Sequence, residues 1–403
     1  MRLLLVHQNF PGQFRDLAPA LCDLGHELKA IGSSQRPSDP RIEVIRYGHT
    51  SGMERQGIHA LTAEVDDWIR RGEQAGLAAM GLRERGWAPD VILAHPGWGE
   101  AMLLRQIFPS SPLLVWPELW LGPEHMGLDH QPLTVPQMHY LRMKNWLVDG
   151  AMADAAAAVL PTRYQGNTFP DRWQHKIHVI HEGVPQGLLG TKRLESLTLS
   201  QDVTLGPELP VISFISRNLE PMRGFPTFMR SLPGLQRREP SVHVVVVGGD
   251  EVSYSNAPDD GRSWKQVLLD ELEGQLDLSR IHFFTRLPHD QLIKLYRRSN
   301  LHVYLSNAFV LSWSLLEVMA CGTPVLAINN LMLREVIRNN ETGFLWQPDV
   351  QPLEMALHGA LDNRLKLRSI GEAGTRQIAE NYGLQASVQS LEFLCQELAY
   401  GQY

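Results

Sequence analysis

Cysteine is scarce in this chain, with three in 403 residues, Cys22, Cys321 and Cys395. They are odd in number, widely spaced and free of any C-x-x-C pair, which excludes a disulfide framework or a cysteine zinc site and favours a reducing, cytoplasmic setting. No run approaches the ~18 apolar residues of a membrane-spanning helix. The opening run Leu3–Val6 is also too short for the apolar core of a secretory leader. Positive charge is not in excess either. A formal net charge of -7 sets nucleic acid aside as a partner. There is no Asp-x-Asp pair, no low-complexity block and no short-period repeat. What is present is a globular composition, 43% hydrophobic and 20% charged, in a length that suits two α/β domains better than one core.

Strand, turn and helix signals alternate along both halves. Leu3–Val6 reads as a first strand, His7–Gly12 as its turn, and Phe14, Leu17, Leu21 and Leu24 as the apolar stripe of a helix closed by Gly25. Further strands are expected at Asp90–Ala94, Leu113–Trp116, Ala158–Leu160 and Lys176–Ile180. The stretch 186–209 lacks a sustained period and reads as a linker. A second series follows at Val211–Ile215, His243–Val247, Ile281–Phe284, Leu301–Leu305 and Pro324–Ile328. The expected organisation is a domain over 1–185, the linker 186–209, a domain over 210–383 and a docking helix in 384–403, each domain a doubly wound parallel sheet.

The segment Leu301–Ile328 carries the most chemistry. A strand runs into a loop, Ser306–Leu311, and a helix begins near Ser312, whose hydroxyl is placed to cap it, and stops before Gly322 and Pro324. The amides of Ser312, Trp313 and Ser314 and the positive end of the helix dipole suit a diphosphate. Glu317, one turn further in, is placed to accept hydrogen bonds from a vicinal diol such as ribose. The bland alternative is a glutamate facing solvent. Arg217 and Arg223 follow another buried strand at the C-terminal edge of its sheet, where ligands bind in this architecture. Two guanidinium groups there can neutralise a diphosphate leaving group. Their bland alternative is a surface salt bridge to Glu220.

The string Ser314–Ala327, SLLEVMACGTPVLA, with Arg334–Ile337 and Thr342-Gly343, resembles the donor-binding half of glycosyltransferase family 4, the group 1 glycosyltransferases. Ser216–Gly224 resembles the family's basic phosphate loop, with Arg223 as its second cation one position later than usual. Val247–Asp250 resembles the glycine turn after the next strand, and Phe284–Leu287 the loop around the base. The resemblance implies a GT-B fold, two facing Rossmann-like domains with a cleft between them. It implies a nucleoside diphosphate sugar as co-substrate with no cofactor and no metal, and donor contacts from Gly12, Gly248, Gly249, Arg286, Leu287, Ser312, Trp313, Ser314 and Glu317. Relatives carry two glutamates at the phosphate helix, whereas Phe309 stands eight residues before Glu317 here. The string Phe309–Glu317, FVLSWSLLE, is similar to that of a bacterial subgroup, as are Asn145, Pro161–Gln165 and Glu182-Gly183.

For the first domain, the resemblance puts a histidine near the sugar at a position that corresponds to Glu118. His95, at the end of the Val91–Ala94 strand, is its rival for a catalytic role, and a structural hydrogen bond is the bland alternative for both. His175, His178 and His181 are discounted as a metal clamp, since in a strand the outer two lie on the order of 20 Å apart and the middle one faces away. Of the tryptophans, Trp98 and Trp120 fall on loops that should line a cleft. The expected activity is retaining transfer of a hexose to a hydroxyl of a glycan or lipid-linked sugar in bacterial polysaccharide biosynthesis. The alternatives are a sugar-nucleotide epimerase on a similar fold and a non-catalytic nucleotide-sugar-binding protein. Arg70, Arg71, Arg83 and Arg85 could meet anionic lipid in a peripheral attachment to the inner membrane, but a solvated helix face is the favoured account.

Overall fold

Two parallel sheets dominate the computed structural model, which describes residues 1–48, 59–126 and 132–401. The first has seven strands in the order β3-β2-β1-β4-β5-β6-β7. These are β1 (Arg2–Val6), β2 (Glu27–Gly32), β3 (Glu43–Arg46), β4 (Val91–Ala94), β5 (Leu113–Val115), β6 (Ala157–Leu160) and β7 (Ile177–Val179). Strands β1, β4, β5 and β6 are nearly all apolar because helices cover both faces, as parallel crossovers require. Reversal of strand order beside β1 makes its C-terminal end the natural place for a ligand. The first helix spans Leu17–Asp23, and Leu24, the last member of the expected stripe, is exposed because the helix has already ended.

Packing divides the described residues into two compact units, the first made of 1–123, 132–183 and the C-terminal stretch from Leu384. The last helix, Leu384–Tyr400, buries Val388, Leu391, Leu394 and Leu398 against Leu17 and Leu21 of the first unit. His26 Nε2 and Glu392 Oε1, 3.1 Å apart, fasten it further. At the exit from this unit Gly183 has φ +84°, and a Cβ there would meet Leu384 Cα at 2.5 Å, so only glycine fits.

The second unit, 124–126 with 184–383, is built on a six-stranded parallel sheet ordered β12-β11-β10-β13-β14-β15. A hairpin precedes it, β8 (Leu197–Ser200) and β9 (Val203–Leu205). The sheet strands are β10 (Val211–Asn218), β11 (His243–Gly249), β12 (Ile281–Phe284), β13 (Leu301–Tyr304), β14 (Val325–Ile328) and β15 (Phe344–Trp346). The hairpin corrects the reading of 186–209 as a linker. Leu197, Leu199 and Leu205 are buried with Val211, Val245, Val247, Leu287 and Leu295, so this stretch is part of the second core. The strand reading of His175–His181 also needs correction. His175 ends the short helix Asp171–Gln174, and only Ile177–Val179 pairs, against β6.

Among the described residues no helix is long and apolar enough to cross a membrane. The four arginines weighed for membrane contact are engaged within the chain. Arg70 pairs with Asp66, Arg71 bonds Gln8, Arg83 bonds the Ile107 carbonyl and Arg85 pairs with Glu43.

Candidate functional site

In the second unit the arginine loop grows out of β10. Pairing with β11 shifts register between Ile215 and Asn218, which frees the strand end to turn. Arg217 lies exposed at this point, and its side chain makes no hydrogen bond or ion pair among the described residues. A short 3-10 turn, Pro221–Arg223, ends at Gly224 with φ +73°, where a Cβ would sit 2.3 Å from Leu305 Cβ. That close approach seats the arginine loop on the end of β13. Arg223 Nη1 donates a long bond to Ser306 Oγ at 3.4 Å, and its guanidinium lies 5.2 Å from the centre of the Tyr254 ring. Asn307 N donates to the Met222 carbonyl at 3.0 Å, tying the two loops together.

Salt bridging to Glu220, the bland reading of these arginines, is not what forms. Glu220 is fully buried and turned toward the backbone of Ser253–Ser255. Gly248 and Gly249 pack directly beneath the arginine loop. A Cβ at Gly248 would lie 2.7 Å from Leu219 Cδ2, and one at Gly249 would lie 2.5 Å from Asn218 Oδ1. Both glycines therefore let the chain after β11 pass close to the loop. Leu287 is buried in the hairpin core, leaving only its backbone for a ligand, while Arg286 is exposed.

The helix after β13 spans Trp313–Ala320 with Ser312 at its N-cap position. The expected hydroxyl cap is absent. Ser312 Oγ instead lies 2.7 Å from Ser314 Oγ, so the Ser312 side chain does not cap the first turn. Glu317 does not face solvent. It is 6% exposed, with Oε1 3.1 Å from Nε2 of His289, a half-exposed residue that starts the helix His289–Arg298. Burial, and then the neighbouring Glu317 charge, raise the Tyr296 phenol. Phe309, where relatives have a carboxylate, packs against Tyr254 at 4.9 Å and His125 at 6.3 Å between ring centroids.

In the first unit the two rivals prove to be neighbours. His95 is buried and its Nε2 lies 3.5 Å from Glu118 Oε2, while its Nδ1 accepts from Gly97 N at 3.3 Å. Glu118 has φ +62°, a left-handed conformation uncommon for glutamate and often found where function demands it. Three side chains hold that loop. Gln165 Nε2 donates to the Glu118 carbonyl at 2.7 Å, Thr168 Oγ1 accepts from Trp120 N at 3.0 Å, and Asn145 bonds both N and O of Leu121 at 2.9 and 2.8 Å. The motif residues Asn145 and Gln165 thus act as clamps on the Glu118 loop. Thr162 caps the short helix that carries Gln165.

His7 joins this group and was passed over in the sequence as a mere turn residue. Its ring centroid is 5.0 Å from that of His95, and burial first, then His95 and Arg36, hold its imidazole well below the usual range. The signal was its place, directly after β1 at the C-terminal edge of the sheet. Gly12 has φ +47°, and its missing Cβ makes room for the His7 ring. Trp98 is partly exposed, and Trp120 packs on Phe169 with Arg172 over its ring.

Two parallel-sheet α/β units define the GT-B class of fold. Comparison with known proteins agrees. Residues 24–188 match the family described as Glycosyl transferase family 4 group, and residues 199–377 match Glycosyl transferases group 1. The chain belongs to the group 1 glycosyltransferases. Among curated relatives, the D-inositol 3-phosphate glycosyltransferase of Nocardia farcinica is 29% identical over 42% of this chain and 37% of its own length. The chain thus spans little more than a third of that relative. Among solved structures, sucrose-phosphate synthase from Thermosynechococcus elongatus superposes with TM-score 0.74 at 16% identity, covering all of both chains. HepE of Anabaena, solved with UDP and glucose, gives TM-score 0.67 at 17% identity, covering 98% of this chain and 100% of its own.

Proposed function

We propose that the chain is a retaining, metal-independent glycosyltransferase that moves a hexose from a nucleoside diphosphate sugar to a hydroxyl of a glycan or lipid-linked sugar, in bacterial polysaccharide biosynthesis. The observation that carries this reading is the contact of Arg223 with Ser306, at the head of the loop that leads from β13 into the Trp313–Ala320 helix, at one end of the second sheet. Two arginines without acidic partners among the described residues and a helix N-terminus form a place for a diphosphate. In the proposed reaction the bond from the anomeric carbon to the β-phosphate oxygen breaks, and its electron pair leaves with the nucleoside diphosphate. Arg217, Arg223 and the amides of Ser312, Trp313 and Ser314 stabilise that charge. The acceptor oxygen bonds the anomeric carbon on the face just vacated, and its proton passes to the departing phosphate, so configuration is retained.

Glu317, steadied by His289, takes the ribose diol, and Gly248, Gly249, Arg286 and the Leu287 backbone border the nucleotide. Gly12, His95 and Glu118 serve the sugar side. A carboxylate beside a buried histidine suits stabilisation of positive charge at the anomeric carbon. The test is a thermal-shift and donor-hydrolysis screen against UDP, GDP, ADP and their common sugars, with and without Mg²⁺. UDP sugars come first, because the similarly folded HepE was solved with UDP and glucose. Stabilisation by one nucleotide, with slow metal-free hydrolysis to a sugar of unchanged anomeric configuration, supports the reading. Absence of all nucleotide binding sinks it, and release of an epimerised sugar without any acceptor replaces it with the epimerase reading.

A further inference from the structure

Glu220 stands between the two arginines in sequence, yet its partners lie elsewhere. Its side chain is completely buried, and Oε2 accepts the backbone N–H groups of Ser253, Tyr254 and Ser255 at 2.9, 2.9 and 3.0 Å. Two further bonds join the same segments. Asn218 Nδ2 donates to Ser253 Oγ at 2.8 Å, and Met222 N donates to Ser255 Oγ at 2.9 Å. Three successive N–H groups converging on one oxygen form a nest of the kind that binds anions, filled here by the protein's own carboxyl group. Oε1 has no hydrogen-bond partner among the described residues. A buried carboxyl group with one unbonded oxygen is unfavourable unless it holds something that matters.

What it holds is the ring beside Arg223. Tyr254 lies under the Arg223 guanidinium and against Phe309, and among the described residues the one hydrogen bond of the Arg223 side chain is the long one to Ser306. A bond of that length positions weakly, so the aromatic face is the firmer support. We propose that Glu220 is a positioning residue of the donor site. By strapping Ser253–Ser255 to the arginine loop it fixes Tyr254 as a platform, and the guanidinium is aimed before a diphosphate arrives. An arginine already ordered loses less side-chain freedom on binding, which strengthens capture of the group it contacts. This assignment rests on the donor-site reading above and adds a residue that does not touch the ligand.

The experiment uses the full chain and the nucleoside diphosphate that stabilises it in the screen, with the matching monophosphate as control. Both are titrated calorimetrically into the unmutated protein, E220Q, Y254L, R223K and the E220Q/R223K pair. E220Q keeps the size of the side chain and one acceptor oxygen. It is expected to weaken the diphosphate about tenfold while the monophosphate changes less than about twofold, and to add nothing further in the R223K background, because coupled residues are not additive. Equal loss for both nucleotides, or full additivity in the double variant, would overturn the assignment. If E220Q fails to fold, Y254L carries the test, since Tyr254 is 42% exposed and outside the buried core, and the same diphosphate-selective loss is expected. Failure of the unmutated protein to bind any nucleotide sinks the donor-site reading itself. Binding without selective loss in E220Q and Y254L sinks only the role of Glu220.

Discussion

Replacing Gly12 by alanine tests how the first unit is built around His7. With φ at +47°, Gly12 occupies the left-handed region, where an L-residue costs about 1–2 kcal/mol more than glycine. A Cβ would also lie 2.6 Å from Cε1 and 2.8 Å from both ring nitrogens of His7, well inside the ~3.5 Å of ordinary contact. The ring must move by about 1 Å. That breaks the 2.9 Å bond from Asn9 N to His7 Nδ1, worth about 1 kcal/mol. The sum is about 2–3 kcal/mol, or a melting temperature lower by about 4–12 °C for a unit of this size.

Calorimetric melting of Gly12→Ala, His7→Ala and the double variant separates the causes. With the imidazole removed only the backbone cost should remain, so adding Gly12→Ala to His7→Ala should lower stability by about 1–2 kcal/mol and no more. A Gly12→Ala protein as stable as the parent would refute the reasoning. So would an undiminished penalty in the His7→Ala background. Nucleotide titration of the same proteins asks a second question. If stability is explained by the clash and donor affinity still falls, Gly12 meets the ligand as well as the ring.

Three other outcomes are expected. Burial holds His302 and His181 at about 3 in the folded chain against an ordinary 6.5, so the unfolded chain binds protons first, and stability is complete above 6.5 and falls as pH drops toward 3. Between pH 7.5 and 5.0 each histidine should remove about 2 kcal/mol, and urea midpoints of His302→Gln should show a smaller loss than the parent; equal losses would refute its role. Leu205→Ala should cost about 2–5 kcal/mol in denaturant unfolding, because the hairpin belongs to the core, and a loss under about 0.5 kcal/mol would restore the linker reading. Gln165→Leu removes the bond to the Glu118 carbonyl and should lower kcat about tenfold with donor KM unchanged, the pattern of a misplaced group that acts on the sugar; an unchanged kcat would show that the left-handed Glu118 is irrelevant to turnover.

The buried parallel strands were legible because each is a short apolar run with both faces covered. Ile281–Phe284 was placed at its observed limits, and β4, β5, β6, β10, β11, β13 and β14 near theirs. Polarity hid β2, β3 and the hairpin, and β15, apolar but only three residues long, was too short to register. Glu27 and Lys29 interrupt β2, and β3 at the sheet edge reads EVIR with charges at both ends. The hairpin hid because its leucines alternate with Thr and Ser over only four residues, too few to register a period. At the site, residue types were readable and their partners were not. Glu317 on one helix gives no hint of His289 on another, and nothing local to Glu220 predicts a bond to Ser253–Ser255, 33 to 35 residues on. Pairings of that kind depend on the sheet bringing distant loops to one edge.

That dependence also bears on the salt-bridge reading of the arginines. A surface salt bridge would have needed an acid within reach, and Glu220 was the obvious one. The fold buries it under a different loop and gives other arginines their acids, Arg230 with Glu271, Arg262 with Asp260 and Arg280 with Asp277. Arg217 and Arg223 have no acidic partner among the described ion pairs, and Phe309 removes the carboxylate that relatives keep nearby. In a chain of net charge -7, two uncompensated guanidinium groups at the end of a parallel sheet leave a local positive field, strongest for a ligand carrying more than one negative charge. A diphosphate meets that requirement and a free sugar does not. Under the proposed function, the arrangement therefore favours the nucleotide portion of a donor as the part that this loop grips.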